Sequence, residues 1–223
     1  MRKIVIATFL LTLSLSCNAV AEIREAKVAG KFYPAEQAEL QEQISHLLSQ
    51  QPPLEGQEWR VRPEILLVPH AGYPYSGLVA ARAYRQLVDK SYDGVVVIGF
   101  THRSSFPGAS VDTAQAYQTP LGLLPIAQED AAFLRTFPGM GYEESAHTSG
   151  EHSLEVQLPF LQSTLSSPRL IPILMGSAAF DEAGQLATAL AALAQRGRYL
   201  FIFSTDLSHY HPYEEARQLD ETT

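Results

Sequence analysis

The sequence predicts an α/β fold built on an open, mostly parallel sheet with helices on both faces. Two observations lead there. Four short apolar runs, at residues 64–69, 94–99, 170–175 and 199–204, lack the polar alternation of a half-exposed strand. Segments with helical spacing separate most of them. Strands that are apolar on every side belong to parallel sheets covered on both faces.

The elements follow in order. Arg2 and Lys3 give a short basic start, residues 4–15 are apolar, and Ala19 and Ala21 are small residues where a leader peptidase reads. That three-part layout is a secretory signal peptide over residues 1–21, cleaved before Glu22. The apolar run falls short of the ~20 residues a spanning helix needs, so no transmembrane segment is expected in the mature protein. The expected location is exported, periplasmic or extracellular. Lipoprotein anchoring through Cys17 is a minor option, because Ser14 stands where such signals carry leucine. Cys17 is the only cysteine, so a mature chain has neither disulfide nor thiolate ligand.

Residues 22–223 then form one α/β domain. The net charge of −8 becomes −10 once Arg2 and Lys3 leave with the leader. No basic cluster remains, and no nucleic-acid partner is expected.

Residues 35–49 read as a helix with Leu40, Ile44, Leu47 and Leu48 on one face and Pro34 just ahead. Residues 50–57, with Pro52, Pro53 and Gly56, read as a flexible link. The strand EILLVP runs into a turn-rich HAGYPYSG, and residues 77–88 have helical spacing with Ser76 placed to cap them. GVVVIG is the second strand, almost wholly β-branched. Residues 110–117 and 121–126, split by Thr119-Pro120, suggest a hairpin, and residues 129–135 a short helix. Thr148 and Glu151 fit a capping box opening a helix with Leu154, Leu158, Leu161 and Leu165 in register. A strand over 170–175, a helix over 181–194 and the strand YLFIFS follow, and EEARQLDETT has a solvated, helix-like composition.

Ligands of open α/β sheets bind beyond the carboxyl ends of the strands. Three of the four strands run into histidine there: His70 after EILLVP, His102 in GFTH, and His209 with Asp206 in STDLSHYH. The fourth ends in Met175-Gly176. One histidine alone is more often structural, but neutral imidazole is the commonest ligand for borderline metals, and several converging donors make a site. An aspartate three residues before His209 can orient an imidazole or ligate directly. The reading is a metal or catalytic site at this edge.

PHAGYPYSG, GFTH, EHSLEVQLPFL and STDLSHY, with the opening AGKFYPA, resemble in sequence order the signature stretches of the Memo family, whose bacterial members are called AmmeMemoRadiSam system protein B. The resemblance implies a fold shared with the catalytic subunit of class III extradiol dioxygenases, which use non-haem iron(II). It places His70 and His102 at the metal, and His209, with Asp206 beside it, at an acid/base position. His152 falls at one of the family's motif positions, where a substrate-side role and a packing role are equally open, and Tyr73 and Tyr75 are candidates to line the substrate pocket. The family continues past Thr223, and its third protein ligand lies there: cysteine in Memo proteins, glutamate in the ring-cleaving enzymes. The chain is therefore expected to be a C-terminally truncated piece, or to complete its site with Asp206, His209 or water.

Two functions compete. One is a dioxygenase-like metal-dependent redox enzyme acting on a small molecule, using iron(II), or copper outside the cytoplasm. The other is a non-catalytic metal- or peptide-binding protein using the same cleft, and a metal hydrolase ranks last. Radical-SAM and AMMECR-type partners are doubtful for an exported copy, because an iron–sulfur partner belongs in a reducing compartment.

Overall fold

The computed structural model describes residues 22–52, 61–176 and 180–222. The signal-peptide reading, Cys17 and most of the 50–57 link lie outside the described residues.

The centre is a six-stranded sheet in the order β2 (Ile65–Val68), β9 (Tyr199–Ser204), β3 (Gly94–Phe100), β8 (Leu170–Met175), β4 (Ala109–Val111) and β7 (Met140–Gly141). All its pairings are parallel except β4 against β8. The four long strands are the four apolar runs of the sequence. The two central strands are buried most completely, with Val95, Val96 and Val97 of β3 and Leu170, Ile171 and Ile173 of β8 at 1% exposure or less. Burial of that many branched side chains, each worth ~1.5–3 kcal/mol, is what holds the sheet together.

Helices flank both faces, as successive residues of β3 show. Gly99 faces Ser153 in α5 (His152–Glu155), whereas Ile98 lines a groove with Leu186 and Leu190 of α7 (Phe180–Ala194). On the α5 side, α1 (Gln37–Ser49), α2 (Tyr73–Tyr84) and α6 (Leu158–Thr164) pack together, with Tyr84 stacked on Phe160 at 4.9 Å. A small second sheet joins β1 (Ile23–Arg24) to a hairpin of β5 (Ala116–Thr119) and β6 (Gly122–Pro125). Among the described residues, no helix is long and apolar enough to cross a membrane.

Several local expectations are corrected. Strand β2 is buried on one face only, since Leu66 and Val68 are buried while Ile65 and Leu67 are 61% and 70% exposed at the sheet edge. Ser76 does not cap a helix. Helix α2 starts earlier, at Tyr73, with Pro74 in its first turn, and Ser76 Oγ donates to Ala71 O at 2.8 Å from inside the helix. The expected hairpin is split: β4 joins the main sheet, and only β5 and β6 pair. The break falls at Asp112, a buried carboxylate that accepts from the N–H groups of Thr113 and Ala114, from Tyr117 Oη and from Nε and Nη2 of Arg24. The capping box also fails. Thr148 closes α4 (Glu144–Thr148), and its hydroxyl donates back to Glu144 O. A left-handed Gly150 (φ +78°) turns the chain, and Glu151 caps α5 instead, accepting from Ser153 N at 2.9 Å. The single expected helix is thus two short ones, α5 and α6, and α6 starts at Leu158 with Pro159 in its first turn, where proline is tolerated.

Candidate metal centre

Strands β2 and β3 point the same way with β9 between them, so the loops after all three open on one edge. His70 follows β2 by two residues, and His102 follows β3 by two. Their rings lie 5.2 Å apart, edge to face. A third imidazole meets them from the helix side. His152 opens α5, its ring 4.4 Å from that of His102 and 5.4 Å from that of His70. One nitrogen from each of His70, His102 and His152 falls within 4.8 Å of the others. Three imidazoles at that spacing could hold a metal ion.

Residue Gly99 makes this approach possible. A Cβ there would stand 2.5 Å from Ser153 Oγ and 3.2 Å from Ser153 Cβ. With only hydrogen at that position, Ser153 Oγ donates to Phe100 O at 2.9 Å and locks α5, with His152, against β3.

Each strand-end imidazole is oriented through its Nδ1. At His102, Nδ1 donates to Glu151 Oε1 at 2.9 Å, and the His102 backbone N–H donates to Glu151 Oε2 at 2.6 Å. At His70, Nδ1 lies 3.3 Å from Ser204 Oγ. That hydroxyl has one proton and gives it to Ser153 O, while Gln157 Nε2 donates to it at 2.8 Å. It therefore accepts from His70 Nδ1–H, leaving the Nε2 lone pair of His70 free. Gln157 is itself fixed, donating to Pro69 O and accepting from the buried Tyr84 hydroxyl at 2.8 Å. Such outer partners set the tautomer a metal needs.

Electrostatics agree. Burial lowers the affinity of His70 and His152 for a second proton, outweighing the attraction of Asp206 and Glu151 respectively. Neutral rings are the ligating form. Burial alone would raise the Glu151 carboxyl. The N–H groups of His102 and Ser153 outweigh it and hold Glu151 below the ordinary carboxylate range, ionised.

Residues Asp206 and His209 stand one step outward. Asp206 Oδ1 accepts from the His70 backbone N–H at 2.8 Å, and Oδ2 lies 3.5 Å from His70 Nε2 and 3.0 Å from His209 Nε2. His209 is half exposed, its Nδ1 donating to Leu207 O at 2.8 Å. Both residues border a cleft of about 870 Å³ whose other walls include Leu67, Val79, Leu207 and Tyr210. Tyr75 is on that rim, 87% exposed. Tyr73 is elsewhere: it is 4% exposed and donates from Oη to Val156 O at 2.8 Å, in the core. The structure thus brings together His70, His102 and His152 and sets Asp206 and His209 beside them.

The family profile described as Memo-like protein matches residues 24–223. A MEMO1 family protein of Aquifex aeolicus (strain VF5) is 35% identical over 200 residues, covering 89% of this chain and 72% of that protein. A MEMO1 family protein of Methanobrevibacter smithii is 33% identical over 207 residues, covering 89% and 73%. The protein named memo-1 homolog of Caenorhabditis elegans is 31% identical over 199 residues, covering 88% of this chain and 55% of that protein.

Proposed function

Because the chain belongs to the Memo-like family, we propose that it is a metal-dependent redox enzyme of dioxygenase-like type, with His70, His102 and His152 holding one divalent transition-metal ion. The observation that carries this reading is the donor set: one nitrogen from each ring lies within 4.8 Å of the others. The Nδ1 atoms of His70 and His102 are meanwhile engaged by Ser204 and Glu151. Iron(II) is the first candidate occupant. The leader-like residues 1–21 support an exported copy, where copper(II), at the top of the divalent affinity series, competes for the same imidazoles.

A bound ion would supply Lewis acidity and open coordination positions for a small oxygen-bearing substrate. The chain's own residues do the rest. His209 faces an acceptor at each nitrogen, Leu207 O and Asp206 Oδ2, which gives it a place to hold and pass a proton at the mouth of the cleft. Asp206 fixes both that ring and the backbone of His70. Tyr75, with the apolar side chains around it, offers a surface for the body of the substrate.

The test is anaerobic loading with iron(II), followed by oxygen-electrode measurement against a panel of catechol-like diols. The expected result is oxygen uptake that disappears in His102→Ala. Tight iron without oxygen uptake would overturn the redox assignment in favour of a non-catalytic metal-binding role.

A further inference from the structure

Among the described residues, Glu151 stands out because it meets both His102 and His152. Its side chain is 2% exposed, and its two oxygens meet His102 N at 2.6 Å, His102 Nδ1 at 2.9 Å, Ser153 N at 2.9 Å and His152 Nδ1 at 3.4 Å. A buried carboxylate needs such a set of donors, since unpaired it would be costly to desolvate. The same set has a consequence for the neighbours. His102 comes from the end of β3 and His152 from the start of α5, and a single oxygen, Glu151 Oε1, faces Nδ1 of both rings.

We infer that Glu151 is the shared positioning residue of the metal centre, holding His102 with its proton on Nδ1 and turning His102 and His152 as a pair toward one ion. Three neutral imidazoles bring no charge, so a dication needs anions close by. Among the described residues, Glu151 and Asp206, the latter 3.5 Å from His70 Nε2, are the carboxylates in contact with the triad. Glu151 thus does two things: it fixes ring orientation through a charge-assisted hydrogen bond and supplies half of the compensating charge. A glutamine cannot replace it. One of its two terminal atoms is a donor, and that atom would meet either the His102 backbone N–H or the Nδ1–H with another donor.

This inference rests on the proposed metal site, and the experiment separates the two. Zinc(II) affinity of the tag-free full chain is measured by competition with a chromophoric chelator. Absence of zinc binding by the unaltered chain overturns the metal site itself. Given binding, Glu151→Gln and Glu151→Ala are expected to weaken it about 10–100-fold. Asp112→Asn, which breaks a buried ion pair outside the triad, serves as the control for general destabilisation and should bind zinc as the unaltered chain does. A readout that needs no variant is 15N NMR of the metal-free chain, where His102 should carry its proton on Nδ1. Unchanged affinity in a folded Glu151→Gln, or a proton on Nε2 of His102, overturns the role given to Glu151.

Discussion

Replacing Gly99 by alanine tests how the site is assembled. The added methyl would stand 2.5 Å from Ser153 Oγ, 3.1 Å from Leu174 Cδ2 and 3.2 Å from Ser153 Cβ. Ordinary contact begins near 3.4 Å, so Ser153 must retreat by about 1 Å, and it sits in α5 beside His152. Overpacking on this scale costs about 1–3 kcal/mol. In a domain of this size that lowers Tm by roughly 2–12 °C. Because the retreat carries His152 away from His70 and His102, zinc affinity should fall with stability. Calorimetry and chelator competition on the same preparation read both. Ser153→Ala in the Gly99→Ala background removes the closest contact and should recover part of the loss, a favourable coupling in a double-mutant cycle. A folded Gly99→Ala with unchanged Tm and unchanged zinc affinity would refute the claim that a bare Cα at this position lets the helix ligand approach.

Other outcomes follow from the buried polar groups. Burial alone would raise the Asp112 carboxyl, but the Arg24 guanidinium and His147 outweigh it and hold Asp112 at about 2. Asp112→Asn leaves the buried Arg24 with only the half-exposed Glu22 carboxylate as charge partner, and urea titration should show a loss of about 3–5 kcal/mol. Burial holds His147 at about 4 against an ordinary 6.5, despite Asp112 nearby. Its contribution to stability is complete above pH 6.5 and is lost as the pH falls toward 4, by about 3 kcal/mol. Asp112 adds a further loss as the pH falls from about 4 toward 2, so urea midpoints flat between pH 7 and 4 would contradict the His147 assignment. Gln157→Leu strands the Tyr84 hydroxyl and takes a donor from Ser204, costing about 1–3 kcal/mol. It should also weaken zinc binding through His70, whereas intact affinity would show that Ser204 orients His70 without Gln157.

The main sheet was legible because its long strands are unbroken apolar runs, and parallel pairing carries their ends to one edge. His70, His102, Asp206 and His209 could be picked out for that reason. The helices at 37–49, 128–134 and 180–194 began within two residues of expectation, but the starts of α2 and of the segment after Thr148 were not legible. The T-x-x-E pattern at Thr148 has the right spacing, but a left-handed Gly150 and the reach of Glu151 toward His102 impose a different turn. The hairpin formed over β5 and β6 but lost the start of its first arm to the main sheet, because Asp112 is drawn inward by Arg24, a partner 88 positions away that no local pattern reveals. His152 was visible only as a motif position. Its place in the triad depends on α5 packing against Gly99, and the one local signal was a glutamate immediately before a histidine at a helix start. Glu151 was missed because its main partner, His102, is 49 residues distant.

The proposed metal site is made by three histidines, His70, His102 and His152. It is tested most directly by the metal content of the purified, tag-free chain after iron(II) loading and gel filtration, compared with a His70→Ala/His102→Ala/His152→Ala variant of matched circular dichroism. One ion per chain, lost in the triple variant, is the expected result. Equal metal in both proteins would contradict it.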